Sequence, residues 1–425
     1  MARNCKETGY NVKTQLIERE LGYTEVNDAS QGKGNLLSPG PWDLFYGGGC
    51  MGHWLFDSGL SKELTLAKLR QDQVVYPCFG GRDSYVSKIG LCKILRSIDP
   101  ARCYVLPVDR QRVAAQMDGK RAWVIKLDMN PDVLTSFNAN AGVWAPEGYE
   151  EEWHDSAKHH RGKSVQYVTR PDQLPHIPRS AATQAVVQRF FMPHLGQGCM
   201  RRKWELRVYT TVVSLSPPRF YYNLGWDVTV ARSLYNNETA PGRVRDMCIH
   251  DTHGASLVAC NLEGSCHVDV EGWPEDGTFR RDGHGLKGDG RSMTYTDFER
   301  VAQVPGSVTA TLRRRVHDLL SKVFHHPTTL KGYTANPITR DIEAAGATCF
   351  RLERADFGVS AGLEPVLYEI KAFPEMSVPL PAILVAHRDL FKMLELHKPT
   401  RLPPAERAEW ERQNLGTWAP ITPVA

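Results

Sequence analysis

The chain has 425 residues, of which 41% are hydrophobic and 24% charged, proportions typical of a globular protein that exclude a disordered chain. This length is enough for two to three subdomains and a sizeable core. Lysine and arginine number 52 against 48 aspartates and glutamates, and the resulting formal charge of +4 excludes a dedicated polybasic nucleic-acid-binding protein.

The cysteines and apolar segments bear on the compartment. Ten cysteines are scattered without a Cys-x-x-Cys pair, and no apolar run approaches the roughly 18 residues that a membrane span requires. The amino-terminal residues MARNCKETGYNVK lack the apolar stretch of a signal peptide. We therefore expect reduced thiols, a cytoplasmic location, and no nucleic-acid or membrane partner. Cys260, Cys266 and His267 have irregular spacing for a zinc site, which favours ordinary cysteines there.

The first half of the chain alternates short apolar segments with turn signals. Residues 42–46 predict a strand that three glycines break, and residues 84–97 have apolar side chains close to helical spacing. Residues 122–127 and 185–191 predict compact apolar strands. Between these two strands, residues 130–160 are polar and irregular and predict a loop or short helix.

Two hairpins are predicted in the second half. Residues 206–224 are rich in β-branched and aromatic side chains on either side of a turn at 216–219. Residues 349–373 predict another hairpin that turns around 360–362. Residues 235–292, rich in Asn, Gly, Asp and His, predict a long loop region.

Two helices accompany these hairpins. Apolar side chains recur at helical spacing over residues 307–324, where Ser307 is placed to cap the helix and Pro327 to end it. A second helix is predicted over residues 381–396. Strands in antiparallel hairpins, mixed with helices, predict an α+β fold.

The hairpin over residues 349–373 carries an acidic residue in each strand, Asp356 and Glu369, between apolar neighbours. A buried carboxylate loses much of its solvation energy unless it is paired or bound to a cation. Carboxylates on adjacent antiparallel strands can converge on one face and hold Mg²⁺, with phosphates in its remaining positions. The alternative is an exposed strand face whose charges pair with Arg351, Arg354 or Lys371.

This hairpin resembles the metal-binding hairpin of the tubulin–tyrosine ligase-like family of ATP-grasp ligases. Residues 354–376 read RADFGVSAGLEPVLYEIKAFPEM, and the family pattern is G-A-D-F…L-E-V-N-x-x-P. Other segments are similar to family motifs in the family's order: WDLFYGG, YPCFGGRDSYVSKIGLCKIL, WVIKL, HHRGKSVQYV, VVQRFFMPHL and RRKWELRVYTTVVS. The matches run from about Trp42 to Leu396, which is most of the chain.

The resemblance implies an α+β ATP-grasp architecture of three subdomains, in which antiparallel sheets cradle ATP between the central and C-terminal lobes. The implied division is an N-terminal lobe (1–110), a central ATP-grasp lobe (111–200), a C-terminal ATP-grasp lobe with the metal hairpin and a long loop at 235–295 (201–400), and a C-terminal tail (401–425).

The resemblance also implies ATP and Mg²⁺ as cofactors and a carboxylate–amine ligase reaction. ATP would activate a carboxylate as an acyl phosphate, and an amine would then attack it to form an amide bond. The substrates would be an amino acid together with a peptide, a protein or a small acid.

The same resemblance assigns candidate roles to individual residues. The ATP-binding residues would be Lys126, Arg161, Gly162, Lys163, Gln188, Arg189, Phe190, Phe191 and Lys203. Asp356 and Glu369 would hold the Mg²⁺ that bridges the β- and γ-phosphates. Arg207 and Arg232 occupy positions where the family has arginines near the acyl phosphate or the substrate carboxylate, and with Lys371 they form the expected catalytic set.

The sequence departs from the family pattern at Lys371, where the family has a metal-binding asparagine. A charged lysine cannot ligate Mg²⁺, so the choice between one and two metal ions stays open. Glu205 replaces an aspartate of the family, which leaves the acid and amine substrates open, tubulin included. The alternative function is a catalytically weak or inactive ATP-grasp protein that binds a nucleotide or a protein. A kinase-like reaction is disfavoured because no His-Arg-Asp motif precedes Asp356.

Overall fold

The structure, a computed structural model, describes residues 44–46, 74–76, 85–128, 165–175, 177, 184–215, 217–231, 234–235, 292–334, 342, 344–372, 381–396 and 402–424. Helices and mainly antiparallel strands mix along these residues, and the α+β fold class predicted from the sequence is confirmed. Among these residues, none of the helices combines the length and the apolar character that a membrane crossing needs.

Strands and helices follow one another through the described residues. The strands are β1 (Leu44–Tyr46), β2 (Val74–Tyr76), β3 (Tyr104–Leu106), β4 (Trp123–Asp128), β5 (Val165–Val168), β6 (Gln184–Arg189), β7 (Trp204–Leu215), β8 (Pro218–Asn223), β9 (Asp227–Val230), β10 (Ser292–Thr294), β11 (Thr348–Cys349), β12 (Arg351–Val359), β13 (Pro365–Ala372) and β14 (Trp418–Pro420). The α-helices are α1 (Lys88–Ile98), α2 (Arg110–Ala114), α3 (Tyr295–Val301), α4 (Gly306–Phe324), α5 (Pro327–Thr334), α6 (Pro381–Met393) and α7 (Pro404–Gln413). Short 3₁₀ turns occupy Pro171–Gln173 and Gly198–Met200.

The largest sheet of the described part is built on the two predicted hairpins. Its strands run in the order β10-β9-β7-β12-β13, with β8 beside β7 and β14 beside β8. The pairs β7–β8 and β12–β13 are antiparallel, which confirms the hairpins predicted over residues 206–224 and 349–373. The centre of the sheet is the antiparallel pair β7–β12, whose strands lie far apart in the sequence.

Two smaller sheets complete the described strands. The four-stranded sheet has the order β3-β6-β4-β5 and is antiparallel, whereas β1, β2 and β11 form a parallel sheet. Strand β3 falls within the predicted N-terminal lobe (1–110) but pairs with β6 of the predicted central lobe. The division into lobes otherwise stays a prediction.

Strand β12 is buried along its whole length because the large sheet is covered on both faces. On one face, Ala355 and Phe357 share a core cluster with Leu312 and Val316 of α4. On the other face, Leu352 shares a cluster with side chains of α6, among them Leu390 and Phe391. Both faces of the strand RLERADFGV carry polar as well as apolar side chains, unlike a half-exposed strand, whose polar residues lie on one face.

The helix predicted over residues 307–324 forms, but its first turn differs from the prediction. Helix α4 begins at Gly306 with Pro305 at the N-cap position, so Ser307 lies inside the helix and does not cap it. Pro327 begins α5 rather than only ending α4. Proline suits the first turn of a helix because its missing N–H would have no intrahelical acceptor there.

The expectation of reduced thiols is wrong for the described cysteines Cys92 and Cys103. Cys92 on α1 and Cys103 beside β3 form a disulfide across a Cα–Cα distance of 5.5 Å, and Cys349 also takes part in a disulfide. Helix α1 folds back onto β3 and brings the two residues together, a tertiary contact that their spacing of 11 does not reveal. The cytoplasmic location was inferred from the expectation of reduced thiols. It stays a prediction, and the cysteines no longer support it.

The predicted C-terminal tail is part of the large-sheet layer. Strand β14 extends the sheet next to β8, and the side chain of Trp418 is 2% exposed. Its indole Nε1 donates to the carbonyl of Ala386 on α6 at 2.9 Å. On α7, Glu411 accepts two hydrogen bonds from Arg219 of β8 at 2.9 and 3.0 Å.

Candidate functional site

Four charged residues form a row across neighbouring strands of the large sheet. Asp227 of β9 lies opposite Arg207 of β7. Arg207 in turn lies opposite Asp356 of β12, and Asp356 lies opposite Glu369 of β13. Side chains of directly opposed residues point to the same face of a sheet, so the structure brings the two predicted metal-binding carboxylates and Arg207 together.

A β-bulge lies beside this row. Asp356 faces Glu369, whereas the next residue, Phe357, faces Leu367, so Tyr368 is the extra residue on β13. Bulges re-aim side chains and are frequent next to functional sites. Here the bulge lets Tyr368 and Glu369, adjacent in sequence, both face the same group of charged side chains.

Asp356 is enclosed by cations. The Arg354 guanidinium donates to both carboxylate oxygens, at 2.8 and 3.0 Å. Lys371 Nζ lies 3.8 Å from Asp356 Oδ2 and 2.9 Å from Glu369 Oε1. Burial alone would raise the pKa of Asp356, but the charges of Arg354, Lys371 and Arg207 hold it well below its ordinary value. Asp356 therefore stays ionised, paired with two of the three cations that the exposed-face alternative named, Arg354 and Lys371, although its own side chain is buried.

Arg351, also named in that alternative, points to the opposite face of β12. Its Nε lies 2.7 Å from Glu353 Oε1, which also accepts from the hydroxyl groups of Tyr85 at 2.6 Å and Tyr333 at 3.3 Å. Burial raises the pKa of Glu353 to about 7, against the charge of Arg351 and the Tyr333 hydrogen bond. Alternating residues of one strand thus supply two separate ionic clusters.

Two lysines reach this region from different parts of the chain. Lys126 lies on β4 of the four-stranded sheet, and Lys203 precedes β7 and pairs with Glu205 at 3.1 Å. Burial lowers the pKa of Lys126 to about 8, a change that the charges of Glu369 and Glu205 oppose and those of Lys203 and Lys88 reinforce. The four-stranded sheet and the large sheet therefore meet through a cluster of cations and carboxylates.

The aromatic ring of Tyr368 contacts both lysines of this cluster. The ammonium groups of Lys126 and Lys203 lie over its ring, at 4.4 and 5.6 Å from the centroid. Phe191 stacks on the same ring at 6.1 Å, and Phe190 stacks on Phe191 at 6.3 Å. The arrangement combines aromatic faces with converging positive charge.

We use the term intersheet site for Lys126, Lys203, Arg207, Arg354, Asp356, Tyr368, Glu369 and Lys371. Of the other predicted residues, Gln188 is buried on β6 and shares a sheet face with Lys126, whereas Arg189 is exposed at the end of that strand. Arg161, Gly162, Lys163 and Arg232 lie outside the described residues.

Several residues of the region were not assigned a site role from the sequence. Arg354 lies two residues before Asp356, a spacing that places both on one strand face and could have identified it. Asp227 lies beside Arg207 because of the register between β9 and β7, and the pattern of a single sequence does not reveal that register. Tyr209 lies opposite Arg354, and burial, reinforced by Asp227 and Asp356, raises its pKa well above the ordinary value. Tyr209 therefore remains a neutral hydroxyl among charged groups.

The donor set suits polyphosphate better than a closed metal cage. Asp356 and Glu369 offer the oxygen ligands that Mg²⁺ prefers, with room for phosphate oxygens to complete its coordination. Lys371, however, bridges the two carboxylates, and Arg354 holds both oxygens of Asp356. Among the described residues, no group of three or more His, Cys, Asp or Glu side chains converges as metal ligands do. The two carboxylates thus fit a metal shared with phosphate, provided that Lys371 moves aside.

Comparisons with known proteins assign no family. No family model matches the chain, and no curated protein matches it. A function has therefore to be inferred from the intersheet site itself, together with the short motifs that brought its residues to attention.

Proposed function

We propose that the protein is an ATP- and Mg²⁺-dependent carboxylate–amine ligase of ATP-grasp architecture. The observation that carries this proposal is the meeting of Lys126 from one antiparallel sheet with Lys203, Asp356 and Glu369 from another. These are residues that the motif resemblance named in advance as phosphate and metal ligands, and they come from widely separated segments of the chain.

The charge of the intersheet site supports a polyphosphate ligand. Lys126 and Lys203 are at least half-buried, where an electrostatic interaction is stronger than in water. At neutral pH Lys126 is mostly protonated because its pKa is about 8. Preorganised cations of this kind stabilise negative charge on a transferring phosphoryl group without having to reorganise during the reaction.

Mg²⁺ bound with ATP would be held by Asp356 and Glu369 and would offset part of the phosphate charge. Before that, Arg354 donates to both oxygens of Asp356 and helps to keep it ionised, and Lys371 pairs with Glu369 at 2.9 Å. Lys371 can then turn toward a phosphate oxygen, because its side chain is 36% exposed. Arg354, buried behind Asp356, stays as the fixed counter-charge.

The proposed reaction has two balanced steps. A carboxylate oxygen of the acid substrate bonds to the γ-phosphorus while the bond to ADP breaks. The amine nitrogen then bonds to the acyl carbon, inorganic phosphate leaves, and the nitrogen loses a proton to solvent. Arg207, in the charged row beside Asp356, is the candidate to stabilise the acyl phosphate, the role that the resemblance gives it.

The test is nucleotide turnover by the purified protein with a panel of acids and amines. ADP and phosphate should be released only when a productive pair is present, and Glu369→Gln should abolish this release. Glu364→Gln is the matched control, because Glu364 lies on the same hairpin but is exposed and pairs with Arg315 at 3.0 Å. Equal turnover in wild type and Glu369→Gln would refute the assignment of Glu369.

A second candidate function is a nucleotide- or protein-binding module without turnover. The observation in its favour is the position of Lys371 between the two carboxylates, where a metal ion would otherwise lie. A thermal-shift titration separates the options, since a ligand that binds only the folded state raises stability with its concentration. Stabilisation by ATP that is equal with and without Mg²⁺, combined with no turnover on any acid–amine pair, would favour this candidate over the ligase.

A further inference from the structure

Tyr368 was assigned no role by the sequence motifs, yet its ring contacts both Lys126 and Lys203 of the intersheet site. The bulge between β12 and β13 leaves it without an opposed residue on β12 and turns it toward the site. Its ring then lies within 6 Å of two ammonium groups, those of Lys126 on β4 and of Lys203 just before β7. This range is the one in which a cation is attracted to the negative face of an aromatic ring.

The ring offsets a repulsion that the site would otherwise contain. Lys126 and Lys203 are like charges, and the proximity of Lys203 lowers the pKa of Lys126. Lys203 also has Glu205 at 3.1 Å as a counter-charge. For Lys126, the close contact with the Tyr368 ring at 4.4 Å favours the protonated form that an anion requires.

The ring is held in place by its surroundings. Phe191 stacks on it with an interplanar angle of 29°. On β12, Gly358 leaves room for the phenol, since a Cβ there would lie 2.1 Å from Tyr368 Oη and 2.5 Å from Phe191 Cζ. A glycine at this position therefore lets the ring approach the strand backbone.

We propose that Tyr368 is a positioning residue, whose ring holds the ammonium groups of Lys126 and Lys203 so that they bind one polyphosphate together. The identity of the ligand rests on the proposed function, whereas the effect of the ring on the lysines does not. The two parts can be measured separately.

The first measurement is the pKa of Lys126 in the ligand-free full-length protein, by NMR of ¹³C,¹⁵N-labelled lysine with Lys126→Arg to assign the signal. Tyr368→Leu removes the ring but keeps apolar bulk, and we expect the Lys126 pKa to fall by about one pH unit. Tyr368→Phe keeps the ring and should restore the wild-type pKa. A residue that only filled space would not separate these two variants.

The second measurement is the affinity for inorganic tripolyphosphate at pH 7, by calorimetry. We expect Tyr368→Leu to bind about tenfold more weakly than wild type and Tyr368→Phe to bind much as wild type does. An unchanged Lys126 pKa in Tyr368→Leu, or a Phe variant that behaves as the Leu variant does, overturns the inference.

The same data separate this inference from the proposed function. A wild type that does not bind tripolyphosphate overturns the anion-binding part of the inference, whatever the lysine titration gives. If tripolyphosphate binds and the variants behave as expected, but ATP is never turned over, the positioning role stands and the ligase function fails. Should Tyr368→Leu fail to fold, Tyr368→Met provides a second variant without the ring.

Discussion

Burial has different outcomes for the charges of two residues of the intersheet site, Asp356 and Lys126. Asp356 keeps its negative charge because Arg354 and Lys371 more than offset the effect of burial on its pKa. For Lys126 the balance is reversed: burial lowers its pKa by more than the charges of Glu369 and Glu205 raise it. Asp356 is therefore fixed in charge near neutrality, whereas the charge of Lys126 responds to pH.

Lys126 should make anion binding depend on pH. Its pKa in the folded protein is about 8, so it loses its proton as the pH rises through that value, and affinity should fall about tenfold per pH unit above it. The measurement is calorimetric titration with tripolyphosphate from pH 7 to 9.5. Lys126→Arg, which stays charged over this range, should bind with a nearly flat profile. An equally steep fall in Lys126→Arg would assign the dependence to another group.

At the scale of elements, the hairpin β12–β13 determines which side chains meet. Opposed positions bring Asp356 to Glu369 and Arg354 to Lys371, and the bulge adds Tyr368 to the same side. A shift of one residue in this register would move every side chain of a strand to the other face. The bulge and its neighbouring glycine therefore control the composition of the site.

Substitution of Gly358 should test whether this glycine determines the position of the Tyr368 ring in the site. In Gly358→Ala the new Cβ would collide with Tyr368 Oη and Phe191 Cζ, so the ring must move away from its present position. We expect about tenfold weaker tripolyphosphate binding and a loss of about 1–3 kcal/mol in the free energy of unfolding. Calorimetry and urea unfolding measure the two effects.

Gly362→Ala is the matched control on the same hairpin. The nearest atom to its added Cβ is Ser360 Oγ at 3.8 Å, an ordinary contact, so binding and stability should change little. A Gly358→Ala variant that binds and unfolds as Gly362→Ala does would show that the ring is not confined by the strand.

The hairpins could be predicted from the sequence because their strands are continuous runs of β-branched and aromatic residues around clear turns. The opposition of Asp356 and Glu369 depends on the bulge, because an uninterrupted register from Phe357–Leu367 would place Asp356 opposite Tyr368. The bulge at Tyr368 could not be predicted, since one unpaired residue leaves no periodic signal. The pairing of β7 with β12, and so the place of Arg207 beside Asp356, depends on contacts between distant segments. Short elements such as α5 and β14 were missed for a related reason: tertiary packing, rather than local pattern, stabilises them.

At the scale of the whole molecule, the last described strand is part of the core that supports the large sheet. Trp418 of β14 is 2% exposed and packs in the cluster that contains Leu390 and Phe391 of α6. That cluster also contains Tyr209 of the central strand β7. The C-terminal segment thus supports the same strand that carries Arg207.

Trp418→Ala should destabilise the protein by about 3–5 kcal/mol, because it removes a large buried side chain and its hydrogen bond to Ala386. The measurement is the free energy of unfolding in urea. Val424→Ala is the control, since Val424 is 45% exposed and its truncation should cost little. A loss below about 1 kcal/mol for Trp418→Ala would mean that the C-terminal segment is dispensable for the fold.

The strand order of the large sheet has a consequence for biosynthesis. Its central pair joins β7 to β12, and its outer strand β14 follows both strands of the β12–β13 hairpin in the sequence. A ribosome that has released only the first 350 residues has produced Lys126, Lys203 and Arg207 but neither carboxylate of the intersheet site. The site can therefore assemble only after β12 and β13 have been synthesised, because these strands carry both of its carboxylates. Nascent chains arrested before β12 should not acquire polyphosphate binding, whereas completed chains should acquire it as the sheet closes.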